Sequence, residues 1–133
     1  MVLRLRASGV FSNTGTPTLI LGFYYGAVAG TALCATGAIT TITAATAWSW
    51  NMEAIINIRT IGSSGTAFCS FGRVQMPASL TQFQADYALP STAPAAVTID
   101  TTAAKALTVG ATWSANSASN TLTCNAFTVE SVA

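Results

Sequence analysis

Trp48-Ser49-Trp50-Asn51-Met52-Glu53-Ala54-Ile55-Ile56-Asn57-Ile58-Arg59 alternates along most of its length. Trp48, Trp50, Met52, Ala54, Ile56 and Ile58 share one parity. Ser49, Asn51, Glu53, Ile55, Asn57 and Arg59 share the other. Side chains that alternate in polarity line the two faces of a half-buried strand. A helical reading (Trp48, Met52, Ile55, Arg59) uses the same positions, but Trp and Ile favour the extended chain. Gly62-Ser63-Ser64-Gly65 then supplies a hairpin turn. The return strand is expected from Thr66 to Met76, with Phe68, Val74 and Met76 on one side and Cys69 and Phe71 on the other. This hairpin is expected at the centre of a sheet.

Alternation continues on both sides of it. Leu3 and Leu5 alternate with Arg4 and Arg6, which gives a first strand with one charged face. Gly9 and Ser12-Asn13-Thr14-Gly15-Thr16-Pro17 read as a turn. Leu19, Leu21, Phe23 and Tyr25 share a face of a second strand, with Tyr24 opposite them. Val28–Ala35 and Ala38–Thr43 read as short strands split at Gly37. The segment from Pro77 to Pro94 reads as a long connection that Phe83 and Tyr87 pin down, a Greek-key hint. Val97 and Ile99, then Leu107, Val109, Ala111 and Trp113, mark two more strands. Ser114–Asn120 is a small-residue turn. In the last strand Leu122, Cys124 and Ala126 give way to Phe127 and Val129, so a bulge is expected there. The result is one all-β domain over residues 1–133. It is expected to be a two-sheet antiparallel β-sandwich, jelly-roll-like, of about eight or nine strands.

Composition narrows the function. The chain has 133 residues, a net charge of +1, only 7% charged residues and no His. Its mean hydropathy is +0.53. Ala and Thr make up about a third of it. Disordered chains are polar and charged, so this one is expected to fold. A nucleic-acid groove needs clustered Lys and Arg, which are absent. A surface of short neutral side chains favours contact with other protein copies. No charge occurs from Ala7 to Met52, yet Gly22, Gly26, Gly30 and Gly37 and several Thr argue against a membrane helix. Met1–Arg6 leads into no apolar run of signal-peptide length, so synthesis in a cytosol is expected.

No catalytic constellation is legible. Without His, the Ser-His-Asp and Cys-His systems are excluded. Glu53, Asp86, Asp100 and Glu130 are scattered. A glycosidase pair of Glu53 with Asp86 or Asp100 is formally possible, but nothing gathers it. No acid cluster could hold Ca²⁺, and no CxxC or His completes a zinc site. The expectation is therefore no enzyme, no cofactor and no metal. Cys34, Cys69 and Cys124 read as small buried strand residues. Trp48, Trp50 and Trp113 fall on the apolar parity and read as core, with a sugar-stacking platform as the alternative. Tyr24 reads as an exposed or interface aromatic.

The opening Leu3–Leu19, the Trp48-Ser49-Trp50 segment, the turn Gly62–Thr66 and the ending Leu107–Glu130 resemble small structural proteins of tailed bacteriophages. The likeness implies a β-sandwich virion subunit of the head-decoration or minor-capsid type, and it transfers no functional residue. On that reading a homo-oligomer that clamps the major capsid protein from outside the head is expected, a trimer suiting a three-fold site of an icosahedral head. Localisation would be the capsid surface after synthesis in the host bacterial cytoplasm. Arg4 and Arg6 are candidate capsid contacts, with a cross-strand pair to Glu130 as the structural alternative. Tyr24, Val28, Ala29 and Ala32 are candidate subunit-interface residues. The alternatives are a tail-tube, tail-fibre or baseplate part, and a carbohydrate-binding host-attachment module.

Overall fold

A computed structural model describes residues 1–79 and 81–133. Its strands are β1 (Val2–Ser12), β2 (Thr18–Tyr25), β3 (Thr31–Ala35), β4 (Ile39–Thr40), β5 (Trp48–Thr60), β6 (Gly65–Met76), β7 (Ala85–Ala88), β8 (Ala96–Ile99), β9 (Leu107–Trp113) and β10 (Thr121–Ser131). No helix occurs among the described residues. A six-stranded sheet runs β10-β1-β5-β6-β7, with β8 beside β7 along the same edge of β6. A four-stranded sheet has β2 at its centre, β3 and β4 along one edge and β9 on the other. Every pairing is antiparallel. The all-β two-sheet sandwich read from the alternation is the fold observed.

The core lies between the sheets. Leu5, Ala7 and Phe11 on β1, Trp50, Met52, Ala54 and Ile56 on β5, and Leu19, Leu21 and Phe23 on β2 are all buried. These are the apolar parities of the sequence. Trp48 and Trp113 are half-buried and pack against this core, and Trp48 also stacks on Phe83 with centroids 5.5 Å apart. The Gly62–Gly65 turn closes the β5–β6 hairpin, Gly62 taking φ 115° and its carbonyl accepting from the Gly65 amide at 3.2 Å.

Five readings are corrected by non-local contacts. Gly9 is not a turn: β1 runs through it, because the β10 backbone crosses so closely that a Cβ there would lie 1.8 Å from the Thr123 carbonyl oxygen. The return strand β6 changes parity at Ser70, where Ile55 faces Phe71 and Ile56 faces Cys69. That bulge turns Ala67 and Cys69 inward before it and Val74 and Met76 inward after it, and leaves Phe68 and Phe71 on the outer face. The expected break in β10 is present, but the bulged residue is Asn125, opposite Ser8 and Gly9. Val28 and Ala29 lie in a turn before β3, held by the Gly30 amide on the Ala27 carbonyl. The segment from Pro77 to Pro94 does not cross the sandwich; it returns to the edge of β6 as β7, pairing Ala85–Ala88 with Arg73–Met76.

The crossing from β4 back to β5 is tied down by one buried side chain. Asn13 donates to Thr41 Oγ1 at 2.6 Å and to the Ile42 carbonyl at 2.9 Å, and its Oδ1 accepts from the Ala45 amide at 2.6 Å. Thr41 in turn donates to the Pro17 carbonyl. Asn13→Ala leaves these groups unpaired in the interior and is expected to cost about 3 kcal/mol in urea unfolding. Gly9→Ala is expected to cost about 2–3 kcal/mol by forcing β10 away from β1. Hydrogen exchange of that variant should lose protection first along β10.

Candidate functional site

Most of the charge projects from the outer face of the larger sheet, and strand register gathers it. Arg6 faces Glu53, and Glu53 faces Arg73 on the next strand. Arg4 faces Glu130 on its other side. Ser8, Asn51, Gln75 and Asp86 form the adjoining row. Glu53 lies at the centre: its carboxylate is 3.6 Å from Arg4 Nε and 3.8 Å from Arg6 Nε, and Arg4 Nη1 is 3.6 Å from Glu130. Among the described residues Arg73 makes no ion pair. A polar depression of about 400 Å³ lies here, lined by Arg6, Asn51, Glu53, Arg73 and Gln75 together with Ser8 and Thr128. Beyond it Arg59 lies over the Phe68 ring, 4.0 Å from the centroid, rather than in an ion pair.

Arg4 and Arg6 are therefore brought together as expected, but both hold Glu53, and Arg4 also holds Glu130. The cross-strand pair anticipated as the structural alternative is present. Of the acids named from the sequence, Glu53 is held by two arginines, Asp86 lies on the same face two strands away in the adjoining row, and Asp100 accepts from the Thr102 amide and hydroxyl within its own turn. Those Thr102 hydrogen bonds hold the Asp100 carboxyl below its ordinary value.

The four candidate interface residues do not form one exposed patch. Tyr24 is buried, which corrects its reading as an exposed aromatic. Its ring lies in space that Gly22 and Gly110 leave open, since a Cβ at Gly110 would come within 2.5 Å of the ring, and Val28 packs beside it. Val28 and Ala29 are exposed in the turn, and Ala32 is half-buried on β3. Cys34 and Cys69 are buried as expected, whereas Cys124 is exposed.

Sequence reasoning missed two features. One is the grouping of Asn51, Arg73 and Gln75 around Glu53. Counting back across the hairpin from Thr60 opposite Thr66 reaches Glu53 opposite Arg73 because the irregularities at Arg59 and Ser70 offset each other. The other is β10. It forms one edge of the six-stranded sheet, and every residue in it except Leu122 is exposed. The four-stranded sheet is too narrow to cover it. Phe127, Val129 and the following Val132 are 36%, 43% and 44% exposed, although Phe127 stacks on Phe23 at 6.0 Å.

No known protein family, characterised protein or solved structure matches the chain.

The ion pairs are partly open to water, so each is worth little alone. Glu53→Gln is expected to cost about 1 kcal/mol or less in thermal unfolding. The double reversal Arg4→Glu with Arg6→Glu sets four acids together. It is expected to lower the melting temperature of the isolated chain by several degrees, with recovery in high salt.

Proposed function

We propose that this chain is a structural subunit of a phage particle, a decoration or minor capsid protein that binds the outside of the head. The observation that carries the reading is β10. Eleven residues of strand, about 37 Å at 3.4 Å per residue, present an unpaired edge and an uncovered apolar strip. Soluble monomers protect such edges with Lys, Pro or a covering loop. This strand has no Lys or Pro, and its one charged residue, Glu130, is paired with Arg4. The neutral, short-chained composition and the resemblance to virion proteins support the same reading.

In this proposal β10 meets a neighbouring copy of the chain. Three copies around an axis suit a three-fold site of an icosahedral head, and closed cyclic symmetry leaves no copy with a bare edge. The outer face of the larger sheet, with Arg73 free of an ion pair, meets the major capsid protein. Binding only the assembled lattice stabilises that lattice by linkage. A tail-tube, tail-fibre or baseplate location would use the same strand edge.

A second reading rests on the polar depression around Glu53. Arg, Asn, Gln and Glu side chains converging on one sheet face suit a sugar's hydroxyls, as in a host-attachment module. Density for the chain on the head surface in a cryo-electron microscopy map of the particle is the expected result. Density confined to the tail overturns the head assignment, and specific glycan-array binding abolished by Arg73→Ala selects the attachment module. Val129→Lys on β10 is expected to leave a folded monomer by light scattering. Unchanged trimers in that variant would move the subunit contact away from β10, and a wild-type monomer at micromolar concentration would overturn the homo-oligomer in solution.

A further inference from the structure

We propose that Cys34 and Cys69 are an oxidation site, at which a peroxide joins the two sheets of the sandwich through a disulfide. Cys34 is on β3 of the smaller sheet and Cys69 is on β6 of the larger. The two strands pack against each other across the core. Both side chains point inward, and each residue is 3% exposed. Both line one cavity of about 210 Å³ whose outer wall is the Pro90–Ala95 segment, with Ser91, Thr92 and Ala93 open to solvent. A molecule the size of hydrogen peroxide fits that space.

Facing that cavity together, the two thiols lie close enough to shift each other's titration. Cys69 Sγ also lies 3.4 Å from the Phe71 carbonyl and 3.8 Å from that of Leu89. The neighbouring Cys69 and then burial push the Cys34 thiol up from its ordinary range. Attack from the shared cavity can begin at either sulfur, for instance Cys69. Its sulfur displaces hydroxide from the peroxide, the O–O bond breaking as the S–O bond forms, and the hydroxide leaves as water with the thiol proton. Cys34 sulfur then attacks the sulfenic sulfur, the S–S bond forms, and a second water leaves carrying the Cys34 proton. Two thiols lose two electrons and two protons, and one peroxide becomes two waters. The product links β3 and β6 covalently across the core, an inter-sheet cross-link of the kind that immunoglobulin domains use.

Cys124 is exposed on β10 and would join separate chains, so the test uses the Cys124→Ser protein throughout. After one equivalent of hydrogen peroxide, its mass is expected to fall by about 2 Da. A non-reducing peptide map should show the Cys34 and Cys69 peptides joined, and the melting temperature should rise by several degrees and return with a reductant. Cys34→Ala and Cys69→Ala, each in that background, should gain oxygen or stay unchanged in mass and show no rise in melting temperature. Two thiols that remain free to alkylation after unfolding would overturn the proposal. So would addition of oxygen to each sulfur without a cross-link.

Discussion

Leu19, Leu21 and Phe23 on β2 and Trp50, Met52, Ala54 and Ile56 on β5 belong to one core, with essentially none of their surface in water. These two strands are interior strands of their sheets, and everything else is arranged around that core. Burying each large side chain contributes about 1.5–3 kcal/mol, so this strip supplies the dominant force holding the sheets together. It also sets register. A slip of one residue in either strand would turn the whole set outward. The β5–β6 turn, the β1–β5 ladder and the β2–β9 ladder all inherit their alignment from it.

Unequal sheets follow from the same arrangement. Six strands face four, and the surplus falls at β10. A strand there has a partner along one edge and water on most of its remaining surface. Most of the sparse charge sits on the outer face of the larger sheet, where Glu53 draws in Arg4 and Arg6 and β10 contributes only Glu130. The molecule thus separates two surfaces by chemistry, an ionic sheet face and a neutral strand edge. A protein that meets two different neighbours can use such a division, because each surface rejects the other's partner by desolvation cost.

The close approaches in this fold depend on residues without a Cβ. Gly9 lets β10 cross β1, and Gly110 with Gly22 leaves room for the Tyr24 ring. Alternation in the sequence places Tyr24 on the outward side of β2 correctly. What covers it is an empty space on another strand, which no local pattern records. The same holds for the two buried cysteines. Each reads alone as a small apolar residue, and only the packing of β3 on β6 makes them neighbours.

The sequence by itself determined that this chain is all-β, which parity of nearly every long strand faces inward, and where the main hairpin turns. These are local properties: alternation fixes a face within one strand, and Gly62–Gly65 fixes a turn within four residues. The parity switch at the end of the chain was legible for the same reason, since Ala126 and Phe127 are both apolar and adjacent. Only the tertiary structure decided the bulge at Ser70, the placement of the last-strand bulge at Asn125, the pairing of 85–88 with β6, and the bare edge of β10. Each depends on which strands become neighbours and how wide each sheet grows. That is settled by the burial of the whole core, a sum over residues far apart in the chain.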